Sequence, residues 1–463
     1  MRGILSAGGY IPRGRLDRSE IAPFVGTGGG KGNRSVASYD EDTTTMGFGA
    51  ARLALRSAPS GARPGALWYS TVAPTYLDKT NAATIHAALR LDDDVSALDF
   101  GGAQRSAVGA LQVALAGPTT VLTVASDLRN GLPGGADEAL GGDAAAALLV
   151  GDVSEAPLLA DHLASASLTE EFLDRWRAPG DARSKVWEER FGETKYVPLG
   201  ERAWNEALKR AELDAADVDR VIVTSTHSRA ARNLANRLGV AKEAFVDDLG
   251  ATVGNTGAAH PALLLAASLE AATPGQVIAL VVLADGADVL LFRTTDAVAT
   301  FRPASSIGDQ VATVRPVTYG KFLAWRGILP VEPPRRPEPA RVSASASARR
   351  EEWKFAFVGK RDPDTGEPQL PPLPSGTGSA AMADVPGTIA AYTVDRLAYS
   401  PSPPIVFAIV DFDGGGRFPV ELTDVAEADV QVGGRVEMTF RRLNSADGIH
   451  NYFWKARPVR VGP

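Results

Sequence analysis

The sequence predicts an α/β chain in which a large domain of two similar halves is followed by a small all-β unit. Three observations carry that reading. Short apolar runs alternate with Ala-rich amphipathic patterns over roughly the first 300 residues, the same series of elements occurs twice in one order, and a proline-dense stretch separates it from a region of short alternating strands.

The apolar runs include ALWYSTVA, TVLTVASD, AAAALLVGD, VDRVIVTSTH and VIALVVLADGADVLLF, with helical patterns such as LDKTNAATIHAALRL and RAARNLANRLGV between them. Runs without alternation, followed by amphipathic helices, indicate strands covered by helices on both faces. The duplication pairs Tyr69–Leu91 with Val223–Leu238, and Asp99–Leu111 with Asp248–Leu263. It ends by pairing TVLTVASD and GDAAAALLVGD with IALVVLADGADVLLF. Matched elements in one order imply two halves related by pseudo-symmetry, with their loops meeting at corresponding positions.

Between Pro330 and Pro339 five of ten residues are proline, and ARVSASASARREE follows. Proline fixes φ and removes an amide donor, so this stretch reads as an extended tether. Just before it, Tyr319–Leu329 has the spacing of a short amphipathic helix able to dock on either neighbour. After Trp353, segments such as PIVFAIVDFDGGGRFPVELTD and NYFWKARPVRV alternate between Gly/Pro turns and predict a small barrel or sandwich. The expected divisions are 1–300 for the large domain, 301–345 for helix and linker, 346–382 for a turn-rich segment, and 383–463 for the all-β domain.

A net charge of −7 argues against a nucleic-acid binder. Val277–Leu283 stops at Asp285, far short of the roughly 18–20 apolar residues of a membrane helix, and the N-terminus lacks a signal-peptide pattern. A cytoplasmic, non-membrane protein is expected. The chain has no cysteine, which removes disulfides, thiolate zinc sites, iron–sulfur clusters and a cysteine nucleophile together.

GGYIPRGRLDRSEI, DEDTTTMGFGAARLAL, SDLRNG, GGDAAAALLVGD and VGNTGAAH occur in order. Together they resemble the thiolase superfamily, in the branch of ketoacyl-ACP synthase III and hydroxymethylglutaryl-CoA synthase. The resemblance covers about residues 1–300 and implies a duplicated five-layer fold, a coenzyme A thioester as substrate, acyl-transfer chemistry and a twofold homodimer. The C-terminal part, with YGKFLAWRGIL, LPPLP, DFDGGGRFPVELTD and NYFWKARP, resembles the OB-fold domain with a zinc ribbon that accompanies acyl-CoA-handling thiolase-like proteins.

The departures bear on mechanism. The resemblance puts Gln104 at the nucleophile position and Val72 where the synthase carries its general-acid glutamate; an amide cannot form a thioester. His227 and Asn255 fall on the family's histidine and asparagine, which direct donors at a thioester carbonyl oxygen. Read from the residues alone, His227 could instead cap a turn and Asn255 bond a neighbouring amide. Gln104 has two readings: it helps hold an acyl-CoA during decarboxylation or retro-aldol chemistry, or it fills a dead pocket. Where relatives carry zinc knuckles, this chain has Asp362, Thr365, Pro374 and Thr377, so no metal is expected.

Gly26–Gly32 (GTGGGKG) fails as a nucleotide-triphosphate loop, because Val25 occupies the first glycine position and Ser or Thr is missing after Lys31. The resemblance places this stretch near the CoA entrance, implying that Lys31 or Arg34 meets the nucleotide phosphates; read alone, it is a surface loop. Two functions follow. One is a thiolase-fold enzyme doing non-covalent C–C chemistry on an acyl-CoA with Gln104, His227 and Asn255; the other is a silent scaffold pairing with an active thiolase partner.

Overall fold

Residues 1–459 are described by the structure, a computed structural model. The first half contributes β1 (Arg2–Tyr10), β2 (Ala66–Ser70), β3 (Ser96–Asp99), β4 (Val121–Asp127) and β5 (Ala144–Asp152). The second contributes β6 (Ala160–Leu168), β7 (Arg220–Ser225), β8 (Val277–Leu283) and β9 (Ala287–Thr294). They form one nine-stranded sheet in the order β7-β8-β9-β6-β1-β5-β4-β2-β3. Read outward from the centre, β1-β5-β4-β2-β3 and β6-β9-β8-β7 follow one plan, and the two halves join where Gly3 and Ile4 pair with Asp161 and Ala160. The counterpart of β3 in the second half is reduced to a single bridge between Val221 and Phe245.

The unalternated apolar runs are explained by burial on both faces. Along β8, Ile278, Leu280 and Val282 enter the central core, while Val277, Ala279, Val281 and Leu283 enter an outer one. The central core is filled by α3 (Arg105–Ala116) and α6 (His260–Glu270), after α1 (Thr43–Arg56) and α2 (Ala82–Leu89) have covered the first half from outside. On the far side α4 (Glu189–Ala211) and α5 (Ser228–Ala235) cover the second half, which gives the five layers. No helix among the described residues is long and apolar enough to cross a membrane.

Glu270, at the end of α6, accepts the amide of Ile307 at 2.9 Å, and burial pushes its carboxyl up to about 7. A folded value above the ordinary carboxylate range means that the stability it contributes at low pH is lost as pH rises through 7. Glu270→Gln is expected to raise the unfolding free energy by about 1–3 kcal/mol at pH 8 and to leave it unchanged at pH 4, read from urea denaturation at the two pH values.

The helix expected over Tyr319–Leu329 spans Tyr319–Trp325 and docks on the large domain. Phe322 is buried against the Arg34 guanidinium, 4.8 Å from the ring centre, and Arg326 pairs with buried Asp143. Residues 326–343 have no regular structure, but the following segment is not extended: Ala344–Arg349 and Glu351–Ala356 are helical. Next comes a three-stranded sheet of Val358–Arg361, Pro368–Gln369 and Thr377–Ala381. At its first turn, Asp362 accepts from the amides of Asp364 (3.0 Å) and Thr365 (2.9 Å) and from Gln369 Nε2 (2.8 Å). These hydrogen bonds close the turn.

The C-terminal strands β10 (Gly387–Asp395), β11 (Ile405–Phe412), β12 (Arg417–Leu422), β13 (Arg435–Ala446) and β14 (Ile449–Pro458) close a barrel in the order β10-β11-β12-β14-β13. Its core includes Phe440 and Trp454, which are buried and pack on Phe48 of α1 at 5.3 and 5.5 Å. The barrel is also fastened by charge. Arg441 reaches Glu41 and Asp424 at 2.9 Å each, Lys455 meets Asp40 at 3.0 Å and also pairs with Glu421, and Tyr452 donates to Asp42 at 2.7 Å. Asp42 at the same time caps α1 by accepting the amide of Thr45 at 2.8 Å.

Candidate functional site

Two glycine motifs from different halves interlock at the centre of the molecule. The Asn255 amide donates to Leu140 O (2.8 Å), and the Gly142 amide donates to Asn255 O (3.0 Å). A Cβ on Gly142 would lie 2.0 Å from Val253 O, and Gly254 has φ +90° with Gly141 O 2.4 Å from its Cβ position. Only glycine fits such an approach and such a φ, which is why GGDAAAALL and VGNTGAAH meet here.

This crossing fixes Asn255. Its Oδ1 accepts from Gly257 N at 2.9 Å and its Nδ2 donates to Ser225 O at 2.9 Å, so the amide is oriented and one of its two N–H bonds is committed. Ser225 ends β7, and its hydroxyl accepts the amide of His227 at 3.0 Å. His227 then caps α5, its Nδ1 accepting Ala230 N at 3.1 Å. The capping and amide-bonding roles read from the residues are both present. A ring that accepts at Nδ1 carries its proton on Nε2. Between them, Thr226 donates to Gln104 Oε1 at 3.2 Å, and Gln104 stands at the N-terminus of α3. Behind Asn255, buried His260 has its pKa pushed down to about 4 by burial and so is neutral; its Nδ1 accepts from Thr256 N at 3.4 Å.

Two cavities of about 700 and 650 Å³ open here and share a wall of Arg129, Asp174, Arg175, Trp176, Ser184 and Thr226. His227 and Asn255 line the first; Gln104 and Val72 line the second. The three residues assigned from sequence are therefore brought to adjoining spaces.

The two phosphate candidates are not. Arg34 is 0% exposed, with donors on Glu138 O at 2.6 Å and Arg129 O at 3.0 Å and an ion pair to Asp143 at 3.4 Å. A guanidinium enclosed in this way cannot reach a nucleotide phosphate, and the expectation for Arg34 is corrected: it is a structural cation under the helix Tyr319–Trp325. Lys31 is exposed on its glycine-rich loop and lines neither cavity. The cations that do line the first cavity are Arg129, Arg175, Arg183 and Lys185, of which Arg175 is engaged by Asp137 in a two-pronged pair at 2.6 and 2.8 Å.

Sequence reasoning missed Arg129 and Asp174. Arg129 lies inside SDLRNG, where a basic residue just past a strand looks like a solvated end. Asp174 lies in a loop without any motif. It is 5% exposed; its Oδ2 accepts from Tyr196 Oη at 3.3 Å, and its Oδ1 has no hydrogen bond among the described residues. A Cβ on Gly192 of α4 would fall 2.9 Å from Asp174 Oδ1 and 3.0 Å from His227 Nε2, so the carboxylate and the ring flank one glycine. The neighbouring Asp285 has its carboxyl raised by burial and by the Asp174 charge.

Comparison with known proteins agrees with this architecture. The family described as 3-oxoacyl-[acyl-carrier-protein] synthase III, C terminal, matches residues 208–289, and that described as ChsH2, C-terminal OB-fold domain, matches residues 381–441. The hydroxymethylglutaryl-CoA synthase of Thermococcus sibiricus is 27% identical over 336 residues, covering 70% of this chain and 96% of that protein. That of Methanopyrus kandleri is 27% identical over 341 residues, covering 70% and 97%. Among solved structures, an HMG-CoA synthase complexed with CoA superposes with a TM-score of 0.59 at 19% identity, over 69% of this chain and 89% of that one. The 3-oxoacyl-[acyl-carrier-protein] synthase III of Aquifex aeolicus gives 0.53 at 22% identity, over 63% and 100%. The chain is a thiolase-like fold fused to a C-terminal OB-fold domain. Its relatives are hydroxymethylglutaryl-CoA synthases and synthase III enzymes.

Proposed function

We propose that this chain binds an acyl-CoA where its two halves meet and makes or breaks a C–C bond there, by acyl transfer, decarboxylation or aldol-type chemistry, without a cysteine thioester. The observation that carries the reading is the convergence of Gln104, His227 and Asn255, from three separate segments, on adjoining cavities. By likeness to the relatives, the acyl carrier is coenzyme A, and the more exposed Arg183 and Lys185 meet its phosphates.

The remaining Nδ2–H of Asn255 and the Nε2–H of His227 are the donors for the thioester carbonyl oxygen. Negative charge gathers on that oxygen when the adjacent carbon becomes an enolate, and each fixed donor is worth about 2.7–4 kcal/mol in such a site. Gln104 and Thr226 hold the acyl end. Asp174 shares a cavity with Val72, so it is the carboxylate placed to move a proton now that the family's glutamate is absent. With no cysteine in 463 residues, no cysteine thioester forms on the chain. By the same likeness the working form is a cytoplasmic homodimer.

Incubation of the purified chain with malonyl-, acetoacetyl- and β-hydroxyacyl-CoA, followed by mass spectrometry of the thioesters, tests the reading. Product from the chain alone supports it. Silence until a cysteine-bearing thiolase is added favours the scaffold function and contradicts it. Gly192→Ala, which pushes on both His227 and Asp174, is expected to lower turnover about 10–100-fold, since displacements near 1 Å cost that much. Unfolding free energy should move by no more than about 1 kcal/mol, the scale of a glycine replaced within a helix.

A further inference from the structure

Loop 71–81, between β2 and α2, gives the second cavity Val72, Ala73, Pro74 and Leu77. It has no regular structure and little of it is buried: residues 72–76 are half-buried and 77–80 exposed. The large domain holds its two ends. Asp127 Oδ1 accepts from Val72 N at 2.9 Å, and Thr43 Oγ1 donates to Ala73 O at 2.8 Å. At the other end Asn81 brackets Tyr76, its Oδ1 accepting Tyr76 N at 3.1 Å and its Nδ2 donating to Tyr76 O at 2.9 Å.

The middle of the loop is held by the other domain. The hairpin of β13 and β14 comes down on it: the His450 amide donates to Tyr76 Oη at 2.9 Å, and the two ring centres lie 5.8 Å apart. Beside them, Tyr452 Oη lies 3.5 Å from Thr75 Oγ1, which meets Thr44 Oγ1 at 3.1 Å. The hairpin is itself anchored at the N-terminus of α1. Tyr452 donates to Asp42 at 2.7 Å, and His450 Nδ1 is 3.2 Å from Asp42 Oδ2. Thr75 and Tyr76 line neither cavity, while their neighbours Pro74 and Leu77 line the second. One short segment thus has the barrel on one side and the cavity on the other.

We propose that Tyr76 is a positioning residue through which the barrel holds loop 71–81 in the shape that receives the acyl group. The inference rests on the acyl-CoA reading, which puts the acyl end in the second cavity with Gln104. A segment with few buried contacts opens at little cost, so its shape depends on the ties it has. A ligand that needs the closed shape binds more weakly in proportion to the time the loop spends outside it, and a loop held in place beforehand removes that loss. Tyr76 takes the tie from the barrel at its hydroxyl and on its ring. The barrel is thereby part of the acyl site, although none of its residues lines either cavity.

Hydrogen–deuterium exchange on the full chain without ligand, and calorimetric titration with free CoA, acetyl-CoA and acetoacetyl-CoA, test this. Tyr76→Ala should speed exchange of the amides between 72 and 77 about 10-fold or more, and His450→Ala, a change confined to the barrel, should speed exchange of the same amides. The wild type should bind an acyl-CoA more tightly than free CoA, and Tyr76→Ala should weaken the acyl-CoA about 10-fold while leaving free CoA in place. Tyr76→Phe, which keeps the ring, should retain part of that affinity. The double variant Tyr76→Ala/His450→Ala should lose less than the product of the two single losses, because both cut one tie. Unchanged exchange at 72–77 in both single variants overturns the proposal, as do single losses that simply multiply. It is overturned too by a wild type that binds the acyl-CoAs no more tightly than free CoA, by unchanged acyl-CoA affinity in Tyr76→Ala, or by an equal loss for free CoA. If no CoA ligand binds the wild type, the acyl-CoA reading fails and the acyl-site claim with it, while the exchange still decides whether the barrel holds the loop. Exchange in His450→Ala decides that link even should Tyr76→Ala not fold.

Discussion

Truncating Arg441 to methionine will lower the unfolding free energy of the chain by about 3–5 kcal/mol, the cost of leaving buried charges without their partner. Arg441 is 1% exposed and stands among Asp40, Glu41 and Asp424, with Tyr10 donating to the same Glu41 at 2.5 Å. Removing one cation leaves Lys455 as the nearest counter-charge for Asp40 and leaves Glu41 without a cationic partner among the described residues. Urea denaturation at pH 7 measures the loss. Towards pH 4 the loss should shrink. Burial alone would raise the Asp40 carboxyl, but Lys455 and Arg441 outweigh it and hold the group below its ordinary range. The stability from that pairing is therefore present at neutral pH and disappears as pH falls through the folded value. The variant lacks the Arg441 share of it from the start, and protonation of Asp40 and Glu41 relieves the unpaired charge. A variant equally stable at pH 7 would show that the Arg441 ion pairs contribute no net stability.

His227→Ala will lower kcat by about 10²–10³ with KM little changed, the signature of a donor that acts on charge developing in the transition state. Asn255→Ala should act alike, and the double variant should lose less than the product of the two, because both donors serve one oxygen. His227 also caps α5, so its removal should cost about 1 kcal/mol of stability besides. Steady-state kinetics on whichever thioester the chain turns over supplies the figures. Wild-type turnover by His227→Ala would remove the histidine from the site.

The layered fold was legible because burial on both faces leaves a direct mark, the unbroken apolar run, and because duplication repeats it. The third strand of the second half left no such mark, being one bridge at Phe245. Asn255 stands in a motif whose glycine, Gly254, the backbone crossing requires, whereas Gln104 and His227 were placed only by the resemblance of their segments. Arg34 was misread because nothing in GTGGGKG tells that the following strand, Asn33–Val36, turns it inward between Asp143 and Phe322. The acidic run Asp40–Asp42 was visible, but its partners Arg441, Tyr452 and Lys455 stand at the other end of the chain. Asp174 depends on what does not pair with it, and a sequence carries no record of that.

The most direct measurement is a single-turnover incubation of the purified chain with a thioester that it binds, reading CoA products and intact protein mass in the same samples. The account predicts that product appears while the 48.5 kDa mass stays unchanged throughout. An acyl increment on the protein during turnover, or product only after a second, cysteine-bearing protein is added, would contradict it.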